Sequence, residues 1–273
     1  MLHCRLLQRT PIPLFEEPHT VMQKTIRAAL IAAALVGVSL PAYAQTPWED
    51  RAFVNLSFGL DTGTETIARN STFTVYNETG SVDTSADFGS FGIFDIAGGA
   101  RVYRNFAIGL GYHTGDTTGN GSYTATVPHP LFFDRPRTVS GTFDDAQRDE
   151  HATHLMFGYM LPLGDKYDVL VYAGPSFYHV SQEMVTNVTF TEVGPPYTNI
   201  NVLPAIETVK KSATGYNFGI DGSYFLYRTD KFRIGAGAFL RFTGASADLP
   251  FAGGTVKTDL GGTQFGFGAR VRF

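Results

Sequence analysis

The sequence predicts an all-β fold, an eight-stranded antiparallel up-and-down transmembrane β-barrel with an N-terminal signal peptide. Three observations carry this expectation. After residue 44 the chain repeatedly places apolar residues at every second position, the period of a strand whose two faces meet different surroundings. The connections between those segments alternate between long and short. The strand pattern also runs to the last residue, in "GFGARVRF" from Gly266 to Phe273, whereas chain ends are ordinarily loose and polar.

The N-terminal element comes first. From Met22 the chain reads "MQKTIRAALIAAALVGVSLPAYAQ": Lys24 and Arg27, an apolar run from Ala28 to Leu40, then Ala42-Tyr43-Ala44. This is the form of a secretory signal cleaved after Ala44, with Ala42 and Ala44 as the small residues of the site. A membrane-spanning helix is disfavoured, because the run falls short of the roughly 20 residues a bilayer needs and breaks at Pro41. Residues 1–21, with Pro11, Pro13, Glu16, Glu17 and Pro18, make a poor start for such a signal, so Met22 is the expected start and 1–21 an unstructured or spurious leader. Cys4, the only cysteine, lies in that leader, so the mature chain from Gln45 has no disulfide, thiolate nucleophile or cysteine metal site. Cleavage removes Arg5, Arg9, Lys24, Arg27, Glu16 and Glu17 from totals of 21 Lys+Arg and 25 Asp+Glu, which leaves a mildly acidic product. An acidic product offers no basic field to nucleic acid, and no nucleic-acid partner is expected.

Eight alternating segments follow, at approximately 52–61, 88–103, 106–115, 151–161, 168–181, 212–226, 232–243 and 261–273, each near or above the ~9–11 residues that cross a bilayer at a tilt. Three connections are tight: Arg104-Asn105, "PLGDK" (Pro162 to Lys166) and "YRTDK" (Tyr227 to Lys231). Four are long, about 62–87, 116–150, 182–211 and 244–260, and are expected to be outward-facing loops, with the tight turns on the periplasmic side.

Strand parity then assigns faces. In the last segment Phe265, Phe267, Ala269, Val271 and Phe273 oppose Gln264, Gly266, Gly268, Arg270 and Arg272. In the seventh, Phe232, Ile234, Ala236, Ala238, Leu240 and Phe242 oppose Arg233, Gly235, Gly237, Phe239 and Arg241. The sixth sets Tyr216, Phe218, Ile220 and Tyr224 against Asn217, Gly219, Asp221 and Ser223; the third sets Phe106, Ile108, Leu110 and Tyr112 against Ala107, Gly109, Gly111 and His113. The second sets Phe94, Ile96, Ala100 and Val102 against Asp95, Gly99 and Arg101. The first and fifth segments alternate less cleanly.

A soluble barrel alternates too. Three features turn the apolar face toward lipid. The mature lysines (Lys166, Lys210, Lys211, Lys231, Lys257) lie in expected turns, loops or strand margins. The polar face is mostly small residues with charges of both signs, which suits a narrow interior where each buried charge needs a partner. Aromatics gather at strand ends, with Tyr103, Phe106, Tyr167, Tyr227, Phe232 and Phe273 at the short-turn rim, as an interfacial girdle requires. With no water to satisfy backbone groups in the bilayer core, the last strand must close on the first.

On these residues the chain, from roughly Trp48 to Phe273, resembles the small eight-stranded outer-membrane barrels of Gram-negative bacteria, the OmpA/OmpX-like family. Its ending "ARVRF" resembles the terminal aromatic signature that the outer-membrane assembly machinery recognises in that family, with Phe273 and Val271 as the expected assembly signal. "TVPHPLFFDRPRTVSGTF" and "DVLVYAGPSFYHVSQ" are also similar to segments of uncharacterised members. The resemblance implies fold and location in the cell outer membrane. It brings no catalytic residues, and its second and third loops are longer than a minimal barrel needs.

The strongest candidate constellation is a charge network in the lumen: Asp95, Arg101, Asp221, Arg233, Arg241 and Arg270. An eight-stranded barrel is only wide enough for its own side chains, so these charges are expected to plug it. His151 and His154 form H-x-x-H, but residues three apart on a strand face opposite ways, and no metal or cofactor is expected. His154, His179, Ser176 and Ser181 are available for a serine–histidine pair, without spacing that marks one, and no enzyme activity is expected. Asp144, Asp145, Asp149 and Glu150 read as a solvated acidic loop, lacking EF-hand spacing. The expected function is envelope-structural or surface-interacting, as a monomer in contact with outer-membrane lipid and lipopolysaccharide. The alternatives are a narrow conduit for small apolar molecules, which would need a lumen gap at Gly109, Gly111 and Met156, and an outer-membrane lipid-modifying enzyme.

Overall fold

The computed structural model describes residues 49–251 and 254–273. The two leader segments and the cleavage residues Ala42 and Ala44 lie outside the described residues. The described chain is one antiparallel sheet of eleven strands: β1 (Ala52–Asp61), β2 (Glu65–Val75), β3 (Glu78–Phe88), β4 (Phe91–Tyr103), β5 (Phe106–Val127), β6 (Arg137–Pro162), β7 (Tyr167–Val193), β8 (Asn199–Arg228), β9 (Arg233–Phe251), β10 (Gly254–Leu260) and β11 (Thr263–Arg272).

Pairings run β1–β4–β5–β6–β7–β8–β9–β11 and return to β1, so the sheet closes on itself. The closing register sets Val54 against Val271, Phe58 against Phe267 and Leu60 against Phe265. At the end of the chain, the Phe273 N–H donates to the Ala52 carbonyl at 3.0 Å, and Phe273 keeps its aromatic ring exposed.

The expected count of eight strands is corrected to eleven, and the expected long loops are mostly strand. Residues 62–87 fold into the hairpin β2–β3, turned at Tyr76-Asn77, both with positive φ (52° and 63°). That is the backbone of a type I′ turn, which sequence reading finds most readily as Asn-Gly. Residues 116–150 and 182–211 are largely extensions of β5, β6, β7 and β8, and 244–260 is the end of β9 with β10 folded back on it. β3 pairs along the upper part of β5. These additions sit entirely on the long-connection side, so the sheet continues well beyond the alternating segments, with β2 paired only to β3 and β10 only to β9 among the described residues. The tight connections hold as turns: Arg104 adopts φ 49° and Gly164 φ 91°, each reversing the chain in a few residues.

The outward face of the lower part is apolar: Val54, Leu56, Phe58 and Leu60 on β1, Ile108 and Leu110 on β5, Tyr216, Phe218 and Ile220 on β8, Phe265 and Phe267 on β11. The first and fifth segments are harder to read because their inward positions are apolar too, Phe53 on β1 and Leu170 and Tyr172 on β7. With Ala97, Ala107, Met156 and Met160, these form a small apolar cluster low in the lumen. A much larger apolar core fills the upper part, built from residues such as Val82, Tyr123, Val127, Val180, Ile200 and Leu249.

Candidate functional site

The polar inward positions of the lower barrel stack into a column of charge pairs. At the short-turn end, Arg272 grips Asp168 through two nitrogens (3.0 and 3.1 Å) and also donates to Asn55 Oδ1 and Ser223 Oγ, each at 2.8 Å. Arg233 shares Asp168 (3.4 Å), pairs with Asp50 and lies 4.1 Å from the Phe225 ring centre. One tier higher, Arg270 forms a bidentate pair with Asp221 (2.9 and 2.7 Å) and donates to Ser57 Oγ at 2.9 Å. Above it Arg241, 1% exposed, pairs with Asp95 at 2.7 Å and donates to Gln264 Oε1 at 2.7 Å; Gln264 in turn donates to Asp61 at 2.6 Å. At the top of the column Arg148 bridges Glu150 (3.1 Å) and Glu65 (3.2 Å), while the Asp259 and Gly261 N–H groups donate to those same carboxylates.

Five of the residues singled out from sequence, Asp95, Asp221, Arg233, Arg241 and Arg270, therefore meet carboxylate or guanidinium partners inside the barrel. Arg101 is half-buried near the short-turn end of β4, where its N–H donates to the Arg51 carbonyl at 2.8 Å. Sequence parity puts Gln264 on the polar face but not in the charge network, and it leaves out Asp168 and Asp61. Asp168 opens the fifth segment, whose facing was obscure, and Asp61 closes the first.

A second polar group adjoins Arg241. His113 Nδ1 lies 2.8 Å from His154 Nε2, and His154 Nδ1 lies 2.7 Å from Ser176 Oγ, which also accepts from Asn217 at 3.0 Å. Parity accounts for it: His154 points inward, fully buried, while His151 is exposed. The serine–histidine contact ends on a second imidazole where a hydrolase places a carboxylate. The lumen cavity nearby, lined by Phe53, Asp95, Met156, Tyr172, Asp221 and Arg241 among others, measures about 10 Å3, room for a single water at most. His179 is exposed and Ser181 half-buried, away from this group. The lumen gap that a conduit would need at Gly109 is filled: a Cβ there would stand 3.2 Å from both the Met156 Cε and the Phe53 ring.

The far end of the upper barrel carries a different arrangement. Arg137 forms an ion pair with Glu192, and donates to the Pro128 carbonyl at 2.7 Å and the Tyr197 carbonyl at 3.0 Å. Tyr76 OH donates to Glu192 at 3.0 Å, and the Asp134 N–H donates to Glu78 at 2.7 Å. One arginine–glutamate pair thus ties the tips of three hairpins. The hydrogen bond from Arg137 holds the Glu192 carboxyl below its ordinary range, against the opposing effect of burial, and burial with the bond to Glu192 pushes the Tyr76 phenol up. On this fixed base the 128–136 loop exposes Leu131 (62%), Phe132 (53%) and Phe133 (71%). Phe132 is braced by His129 (ring centres 5.0 Å apart) and by the Arg135 guanidinium at 5.7 Å.

No protein-family model matches the chain, and no curated protein matches it. Among solved structures it is similar to the outer membrane protein OprG from Pseudomonas aeruginosa, at 9% identity and a TM-score of 0.43, over 82% of this chain and 96% of that one. It is also similar to Neisserial surface protein A, at 12% identity and a TM-score of 0.37 over 81% and 95% of the two chains. A third is the β domain of the Bordetella autotransporter BrkA, at 12% identity and a TM-score of 0.24 over 82% and 98%.

Proposed function

We propose that this chain is an outer-membrane β-barrel of the small OmpA/OmpX-like kind, plugged by its own side chains, whose tall external part presents an interaction surface at its apex. The belt of outward apolar residues supports the membrane placement. On β5 it runs through Phe106, Ile108, Leu110 and Tyr112, then gives way to Thr114, Asp116 and Thr118. The same change occurs on β8 between Tyr216 and Thr214, and on β9 between Phe242 and Ser246. The change on β5 and the aligned changes on the neighbouring β8 and β9 support a hydrocarbon boundary at that level. Tyr103, Phe106, Tyr167, Tyr227 and Phe273, all exposed, rim the other side.

The observation that carries the functional reading is the apex. Three adjacent large apolar side chains stand exposed on a loop whose base is tied by Arg137 to Glu192 and to the Pro128 carbonyl. Exposed apolar groups on a pre-ordered base, ringed by Asp134, Arg135 and Glu78, have the composition of a binding hot spot with a polar rim. The barrel acts as a non-enzymatic monomer, with lipopolysaccharide around its belt and Phe273 and Val271 read by the assembly machinery. The filled lumen weighs against the conduit reading, and the buried Ser176–His154 pair, without a reachable cavity, weighs against a lipid-modifying enzyme.

The single cysteine of the chain, Cys4, lies in the leader that the proposed cleavage removes, so the test introduces a new one. A Phe133→Cys variant should react on intact cells with a membrane-impermeant maleimide, and the extracted protein should show heat-modifiable gel mobility. Replacing Leu131, Phe132 and Phe133 together by Ser should abolish adhesion of expressing cells to apolar surfaces while leaving membrane yield unchanged. Adhesion equal to that of the parent would sink the apex reading. Deleting Phe273 should lower membrane yield several-fold with secretion intact.

A further inference from the structure

The belt is not uniformly ridged. On its outer face, where β7, β8 and β9 leave the short turns, lies an open groove of about 580 Å3 with almost wholly apolar walls. Its floor is Val169, Gly222 and Ala238, which sit side by side in the register of the three strands, with Ala236 beside them. Leu163 and the tilted pair Tyr167–Tyr224, ring centres 4.9 Å apart, form its lower wall. Exposed Val171, Ile220 and Leu240 stand in the next row above. A Cβ built on Gly222 meets nothing within 4 Å, so the groove is open space at its centre.

We propose that this groove binds one zwitterionic phospholipid of the leaflet on the short-turn side. The inference rests on the reading that the belt faces lipid. Its walls then lie in hydrocarbon, where the matching occupant is an acyl chain, and tyrosines at the lower wall set the depth of the headgroup. The two turns at the mouth supply the headgroup chemistry. Lys166 and Lys231, one on each turn and both exposed, present ammonium groups to a phosphate. Asp230, exposed beside Lys231, suits the positive end of the headgroup, whereas Asp165 is engaged by Arg228 at 3.2 Å. A mouth carrying both signs matches a zwitterion better than a lipid with net negative charge.

Native mass spectrometry of the intact barrel, released from nanodiscs of phosphatidylethanolamine or phosphatidylglycerol, tests this. The wild type should retain one phosphatidylethanolamine through delipidation steps that remove the rest, at least tenfold better than phosphatidylglycerol. Gly222→Leu, which fills the groove from open space, should lower that retention tenfold or more. Lys166→Ala with Lys231→Ala should lower it several-fold. Three results would overturn the proposal: retention unaffected by Gly222→Leu, equal retention of the two lipids, or a dimer that Gly222→Leu abolishes, which would make a second copy the occupant. Heat-modifiable mobility of Gly222→Leu serves as the folding control. A barrel that needs no detergent would instead overturn the membrane reading beneath the proposal.

Discussion

The lower and upper halves of this barrel share strands but are dressed in opposite ways. On β5 every odd residue points inward from Ala107 to Val127. Below, the outward residues are Phe106, Ile108, Leu110 and Tyr112, and the inward ones are Ala, Gly and His. Above, the outward residues are Ser122, Thr124 and Thr126, and the inward ones are Tyr123, Ala125 and Val127. The backbone is continuous across the change. On the proposed membrane placement, what differs is the surrounding medium: hydrocarbon outside favours a polar, self-paired interior, whereas water outside favours an apolar one. On that reading one strand meets two solvents while its odd residues keep facing inward, even across the bulge between Gly119 and Gly121.

The two interiors should fail differently. The largest effect is expected in the charged half. Arg241→Leu leaves Asp95 buried without its cation, at a cost of about 3–5 kcal/mol. The urea midpoint in detergent should fall strongly, and Arg241→Leu combined with Asp95→Leu should recover much of the loss. If the double variant is as unstable as the single one, the column contributes packing rather than charge pairing.

Next comes the apolar half. Leu249 is fully buried in the upper core, and Leu249→Ala should cost about 2–5 kcal/mol locally. Hydrogen exchange should rise in upper β8, β9 and β10, while the lower strands stay protected. Uniform loss of protection would show that the two halves unfold as one unit.

A smaller effect is expected at the apex. Because the folded-state Glu192 carboxyl titrates below its ordinary range, its contribution is present above the unfolded value, about pH 4.3, and is lost as pH falls through the folded one. Proteolytic nicking at the 128–136 and 194–198 tips should increase only in that acid window, and Glu192→Gln should show the increase at neutral pH. A pH-independent pattern would mean that the tie is not electrostatic.

The smallest effect is expected from Lys257→Leu, on an exposed position of β10. It should stay within about 0.5 kcal/mol, well below Arg241→Leu in the same urea experiment.

The alternating segments of the lower half were legible because their outward sites are apolar, as a lipid-facing surface would demand. The same rule hid the upper half. There the outward sites hold Thr, Ser, Asn and Asp, as on β2 with Thr66, Asn70, Thr72 and Thr74, and a polar run of that kind reads as loop. Lys210 and Lys211, expected in a loop, lie on β8, and Lys257 on β10. The candidate column was partly legible too. Parity placed Asp95, Asp221, Arg233, Arg241 and Arg270 inside, but strand number alone gives no pairing between Arg272 and Asp168, which lie 104 residues apart.

By itself, then, the sequence determined which residues share a face and where the short turns fall, because both follow from local periodicity and turn chemistry. Only the tertiary structure decided which charge meets which, that His113 rests on His154, and that hairpin tips far apart in the chain join at Arg137. Those depend on the register across a closed sheet, and closure couples residues by position around the ring rather than along the chain.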